Sequence, residues 1–224
     1  FDRYEPTWGC EAIERVPSMG GDGPKWLCGA EVTRNHALVY SFGSNGDTQF
    51  EEGVRDLLPS SEIFIFDPTM STDGVAEVKR RGFNLIESGL VPRGDTSFVH
   101  AKVAKYYHLM QHMRALGHAG RTIDILKMDI DAMEYASLNK CTDGDVRVGQ
   151  LLIEMHAYPN KIEFVREKIV ALMAQLSNCN LRMFSKERNH WGCAGFKCVE
   201  FSFVGPSHAF NVYQNSRPAC TNWP

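Results

Sequence analysis

The feature that most constrains the fold is a change of rhythm at His36. Residues 1–35 are rich in Gly, Pro and Trp, as in PSMGGDGPKW, and carry no hydrophobic period. From His36 onward, short apolar runs alternate with longer amphipathic stretches. A short apolar run suits a strand buried on both faces of a sheet, and an amphipathic stretch suits a helix covering one face. The alternation therefore predicts βα units around a largely parallel sheet.

The run ALVYSF (37–42) leads through GSNGDT into a helix FEEGVRDLL that Pro59 ends, and EIFIFD (62–67) leads into the helix VAEVKRRG. FNLIES (83–88) leads through VPRGDTS, with Asp95-Thr96-Ser97 as a cap, into a long helix over 98–117. TIDILKMD (122–129) precedes a short helix AMEYASLN, and GQLLIEMH (149–156) precedes the helix KIEFVREKIVALMAQL. Two β-like runs, LRMFSKE and FKCVEFSFV, joined by RNHWGCAG, read as a hairpin. Together they predict an α/β, Rossmann-like domain. Its sheet is mostly parallel and seven-stranded, with helices on both faces and a C-terminal antiparallel hairpin. Residues 1–35 are expected to be an irregular N-terminal flap and 36–224 the domain, a single one at this length. Hydrophobic residues at 43% supply a core, and a net charge of -3 argues against a nucleic-acid partner.

Open sheets of this kind bind ligands outside the carboxyl ends of their strands. Gly43-Ser44-Asn45-Gly46-Asp47-Thr48 follows the first run, where glycines admit a close ligand and a helix start offers unpaired N–H groups. Asp67 ends the second run, where a carboxylate can accept ribose hydroxyls. Turn and carboxylate point to an adenosine-bearing ligand, nicotinamide cofactor and S-adenosylmethionine alike. The missing third glycine of GxGxxG and the paired acidic strand ends stand against a dehydrogenase. The fourth run delivers Asp129, with Asp131 and Glu134 just beyond, and the fifth delivers Glu154 and His156. Such hard donors suit Mg²⁺ or Mn²⁺, or equally a base that takes a substrate proton. His108 and His112 read as a solvated helix face beside His100. Trp8, Trp26 and Trp191 read either as stacking platforms for sugar rings or as core aromatics.

VYSFGSNGDTQFE, LKMDIDAMEY and LLIEMH, in this order, resemble the FkbM-type branch of class I S-adenosylmethionine-dependent methyltransferases. The likeness runs over residues 37–204 and is greatest to the eukaryotic methyltransferase-like proteins of the secretory route. LKMDIDAMEY is the most specific segment, beside the family's LKxDIEGAE. Ser41 stands where the family commonly has an acidic residue, and Asp131-Ala132 where it has Glu-Gly.

The resemblance implies that Ser41, Gly43, Ser44, Asn45 and Gly46 line the methionine and ribose. It implies that Asp67, beside Thr69, holds the ribose, that Glu87 and Ser88 flank the adenine, and that Asp129 sits by the sulfonium. By the looser analogy of catechol O-methyltransferase, Asp129 and Glu154 would ligate Mn or Mg, with His156 or Asp131 completing the set. His156 is the expected general base, ahead of His190 in RNHWG, with Asp131 a further catalytic candidate.

The expected activity is O-methylation of a sugar hydroxyl of a glycan or glycoconjugate, in the Golgi lumen or outside the cell. The alternatives are a small-molecule O- or N-methyltransferase and a non-catalytic binding protein of the same fold. The seven cysteines, Cys10, Cys28, Cys141, Cys179, Cys193, Cys198 and Cys220, fit disulfides in an oxidising compartment, or buried free thiols. Cys10 and Cys28 bracket a Gly/Pro-rich segment that a staple would steady. No run approaches the roughly 20 apolar residues that span a bilayer. The start without Met leads us to expect an upstream segment, an anchor included.

Overall fold

The computed structural model describes residues 3–18, 24–30, 36–91, 105–131, 133–138, 146–157, 162–190 and 197–206. In chain order the elements are β1 (Ile13–Val16), β2 (Lys25–Cys28), β3 (Leu38–Phe42), α1 (Gln49–Leu57), β4 (Glu62–Phe66), α2 (Thr72–Arg80), β5 (Asn84–Ile86) and β6 (Ser88–Leu90). They continue with β7 (Lys105–Tyr107), α3 (Leu109–Ala115), β8 (Thr122–Met128), α4 (Glu134–Ser137), β9 (Arg147–His156), α5 (Ile162–Asn178), β10 (Arg182–Arg188) and β11 (Cys198–Val204).

The expected seven-stranded sheet forms, in the order β10-β11-β9-β8-β3-β4-β5. β5, β4, β3, β8 and β9 run parallel, and β11 lies antiparallel between β9 and β10. From β3 the chain steps outward through β4 to β5, then returns to lay β8 on the other side of β3. Strand order reverses there, which opens a crevice at the carboxyl ends of β3 and β8.

Alternation along β3 shows why the apolar runs became central strands. Leu38, Tyr40 and Phe42 join the core on one face, with Met113 of α3, whereas Val39 joins Val54 of α1 and Val78 of α2 on the other. Phe42 stacks on Phe66 with ring centroids 4.3 Å apart, joining β3 to β4 next to the crevice. Burying each such side chain contributes about 1.5–3 kcal/mol. Helix α1 buries Phe50 and Val54 at i,i+4 spacing, carries Glu51 and Glu52 in its first turn, and ends before Pro59.

The N-terminal segment departs from the irregular flap expected of it. β1 and β2 pair as an antiparallel hairpin, and the Cys10–Cys28 disulfide ties its second strand to the preceding segment. Gln150 of β9 accepts from the Cys28 amide at 2.8 Å and donates to the Cys28 carbonyl at 3.0 Å, docking the hairpin on the sheet. Cys179 and Cys198 are also disulfide-bonded, while Cys141, Cys193 and Cys220 lie outside the described residues.

The long helix expected over 98–117 is shorter and is preceded by a strand. Lys105–Tyr107 pair in parallel with β6, and α3 begins only at Leu109. The Tyr106-Tyr107 pair suits an extended backbone, and the His108 amide then donates to the Gln111 side-chain oxygen at 3.1 Å where the helix starts afresh. Asp95-Thr96-Ser97, His100 and Trp191 fall outside the described residues. Among those residues no helix is long and apolar enough to cross a membrane.

Candidate active site

The glycine turn is fixed by its neighbours. Gly43 has φ +80, and a Cβ there would stand 1.7 Å from the Asp129 carbonyl oxygen. Its amide donates to the Phe66 carbonyl at 2.9 Å, and the Asp129 amide donates to the Phe42 carbonyl at 3.0 Å. The exit of β3 is thus held between those of β4 and β8. Lys127 donates to the Gly43 carbonyl from the β8 side.

Asp67 closes the turn. One carboxylate oxygen accepts the amides of Ser44 at 3.2 Å and Asn45 at 2.8 Å, and the other accepts the Thr69 amide at 2.9 Å and hydroxyl at 2.8 Å. These four bonds aim the turn as well as placing a carboxylate at the crevice. Ser41, in the position expected to be acidic, lies behind the turn and donates to Glu51 of α1, a buried carboxylate that sequence reasoning did not single out.

A cleft of about 960 Å³ opens over the carboxyl ends of these strands. It lies near the upper end of the roughly 300–1,000 Å³ usual for ligand sites, which suits a nucleoside cofactor together with an acceptor. Gly43, Ser44, Asn45, Asp67 and Thr69 line it, as do Asp129, Asp131, Glu154 and His156. Gly46 lies just outside, its φ of +86 setting the turn against Gly74.

The wall expected from Glu87 and Ser88 is instead made by Gly89, Leu90 and Tyr106. Glu87 turns to solvent and pairs with Lys79 at 3.2 Å, while Ser88 is buried beneath the surface. His112, expected on a solvated face, is a core residue that supports this wall: its Nε2 lies 3.0 Å from the Gly89 carbonyl oxygen. Burial pushes its pKa down to about 4, so the ring is neutral.

At the other end of the cleft, acidic groups gather around a buried ammonium. Glu154 of β9 and Glu200 of β11 are register partners, and Asp129 leaves β8 beside them. Carboxylate oxygens of all three lie within 4.8 Å of one another. Lys25 of β2, fully buried, reaches in with Nζ 2.6 Å from Glu200 Oε1 and 3.5 Å from Asp129 Oδ2. Asn189 donates to Glu154 Oε1 at 2.9 Å. His156 Nδ1 lies 2.8 Å from Glu134 Oε1, and its Nε2 faces Asp129 at 3.9 Å and Asp131 at 3.7 Å.

Carboxylates buried this close together raise the cost of ionising one another. Burial opposes charge on Asp129, but Lys25 and Lys127 outweigh it and keep Asp129 below the usual carboxylate range. Burial first, then the Asp129 charge, push Glu154 up to about 7. Burial also pushes Glu200 well above the usual carboxylate range. The Lys25–Glu200 contact has ion-pair length, and the same ammonium reaches Asp129. Burial disfavours the His156 cation, but the Glu134 hydrogen bond and the charges of Glu134, Glu154 and Asp129 outweigh it, raising the pKa to about 9. At neutral pH the ring is an imidazolium.

The ligand set Asp129, Glu154 and His156 does not fit the expected Mn or Mg. A divalent ion on Asp129 would stand about 4 Å from the Lys25 ammonium, a repulsion of roughly 8 kcal/mol at an effective dielectric of 20. One ring nitrogen of His156 is taken by Glu134, and the nearby sulfur of Cys198 is locked in a disulfide.

The pattern of a family described as a methyltransferase domain matches residues 1–205. The chain belongs to that methyltransferase family. The match takes in the N-terminal hairpin as well as the seven-stranded sheet, and the chain is thus an S-adenosylmethionine-dependent methyltransferase. No curated protein matches the methyltransferase. Among solved structures it is similar to a Methanococcus jannaschii fibrillarin pre-rRNA processing protein, at 14% identity over 78% of this chain and 68% of that one, with TM-score 0.48. It is also similar to the N-methyltransferase NodS of Bradyrhizobium japonicum in complex with S-adenosyl-L-homocysteine, at 9% identity over 76% of this chain and 78% of that one, with TM-score 0.40.

Several sequence expectations about the methyltransferase's site change. His190 is exposed and does not line the cleft, but its neighbour Asn189 reaches Glu154. Trp26 donates to Glu187 at 2.6 Å, and Trp8 packs beside Cys28, so neither ring faces the cleft. Lys25, Asn189 and Glu200 were missed. Their signal was a charged or polar residue inside or beside an apolar stretch, as in FKCVEFSFV and KWLC.

Proposed function

We propose that the methyltransferase acts on a hydroxyl of a neutral, polyhydroxylated acceptor, a sugar of a glycan or glycoconjugate, with Glu154 taking the proton. The observation that supports this reading is the acidic end of the cleft: an anionic Asp129 beside a Glu154 whose pKa lies near neutrality. A general base works best with a pKa close to the operating pH. His156, expected in that role, is already protonated and serves better as a cation anchored by Glu134.

Bound S-adenosylmethionine supplies an electrophilic methyl group and leaves as S-adenosylhomocysteine. The glycine turn and Asp67 would hold its nucleoside and amino-acid portions, with Asp129 on the side of the methyl group. Asp129 and Asp131 accept hydrogen bonds from acceptor hydroxyls and orient one oxygen in line, where positioning alone is worth roughly 7–11 kcal/mol in favourable cases. Glu154 takes the proton that this oxygen loses, and Asn189 holds the carboxylate in place. The carboxylates repel anionic acceptors and pair with hydroxyl donors. Because Lys25 supplies the positive charge, the reading needs no divalent cation.

The FkbM-type motifs support the secretory branch, and the disulfides support the Golgi lumen or the extracellular space as its location. Methyl-labelled S-adenosylmethionine incubated with monosaccharides and glycans tests the proposal. Label recovered as an O-methyl ether supports it. Label on an amine favours a small-molecule N-methyltransferase, and cofactor binding without transfer favours a binding protein.

A further inference from the structure

We propose that the Lys25 ammonium is the resident cation of the acidic cluster, a positioning residue that takes the place a divalent metal would take among Asp129, Glu154 and Glu200. The arrangement is that of a cation site: oxygen donors from three neighbouring strand positions converge within 4.8 Å, and a positive charge stands among them. The charge is delivered by the fold. Lys25 opens β2, is fully buried, and lies beneath the floor of the cleft rather than on its surface. The strand that carries it is stapled by Cys10–Cys28 and docked through Gln150, so the ammonium is placed before any ligand arrives.

Glu200 points the same way. It is buried, and its Oε2 has no hydrogen-bond partner among the described residues, while its Oε1 accepts from Lys25. Nothing in the cleft explains an acidic residue in the middle of β11; a partner for a buried ammonium does. Lys25 thereby bridges the buried Glu200 and Asp129, the carboxylate that lines the cleft. The kinetic part of this inference rests on the methyl-transfer reading above, whereas the cation part stands on the cluster alone.

The test is a titration with Mn²⁺ alone, followed by its electron paramagnetic resonance signal, on the full chain and its variants, with S-adenosylmethionine affinity as the check of folding. Wild type and Lys25→Arg should leave Mn²⁺ free. Lys25→Met should take up about one equivalent on the vacated oxygens, and adding Glu200→Gln should weaken that uptake. In methyl transfer, Lys25→Met should lose about 100-fold in kcat while Lys25→Arg recovers most of the loss. A folded Lys25→Met that binds cofactor but no Mn²⁺ overturns the proposal. So does stoichiometric Mn²⁺ binding by wild type that Asp129→Asn abolishes, a result that needs no Lys25 variant to fold. Absence of transfer by wild type bears on the acceptor reading and leaves the Mn²⁺ result standing.

Discussion

At the scale of single residues the site depends on positions with one tolerated chemistry. Gly43 sits at positive φ with no space for a Cβ, because the Asp129 carbonyl fills it. Gly43→Ala should therefore push apart the exits of β3 and β8. Calorimetry should show S-adenosylmethionine binding at least about 100-fold weaker, with a lower Tm; unchanged affinity would remove the turn from the cofactor site. The acid end predicts a pH profile. kcat/KM should rise as Glu154 loses its proton through about 7 and fall as His156 loses its own through about 9. Because Asp129 and Glu154 titrate together, the acid limb belongs to the pair. Glu154→Gln should flatten that limb and lower kcat by about 100-fold, and an unaltered profile would end the base assignment. Asp129 and Glu154 were legible because apolar runs deliver them to adjacent strand ends. Lys25 was not, since it meets its partners 104 and 175 residues away. No local spacing encodes such a meeting.

At the scale of elements, strands that cross the core were read well and pieces at the margin were not. β3, β4, β8 and β9 follow the apolar runs closely because burial on both faces leaves only one register. The segment before α3 has helical composition, yet β6 needs a partner and Lys105–Tyr107 supplies it. Tertiary pairing there overrides local propensity. The hairpin β1–β2 was hidden by its short strands and by the Gly/Pro-rich stretch between them. Its staple should matter to the site as well as to stability. Replacing Cys10 and Cys28 with Ser removes a crosslink between residues 18 apart in sequence. Denaturant unfolding should report a loss of about 3 kcal/mol. The variant should also lose turnover more than cofactor affinity, because the hairpin carries Lys25 and not the glycine turn. Equal losses of both would show that the hairpin serves the whole cleft.

For the whole molecule, a single topological fact organises the chemistry. The chain reverses strand order between β3 and β8, and that reversal sets the glycine turn and Asp129 side by side. Beyond β8, the antiparallel strand β11 brings Glu200 up to Glu154, and β10 runs on into Asn189. On the proposed reading, one half of the sheet would hold the methyl donor, and the other half would assemble the groups that receive an acceptor's proton. The sequence showed the two halves through their motifs. It did not show the N-terminal hairpin closing the acidic half from below. The central claim is that this closed half deprotonates a sugar hydroxyl next to the donor's methyl group without a metal. Mass spectrometry of glycans incubated with methyl-labelled S-adenosylmethionine, in the presence of a chelator, tests it most directly. The account predicts label on an acceptor oxygen at an undiminished rate; transfer that stops until Mn²⁺ or Mg²⁺ is restored, or label found on nitrogen, would contradict it.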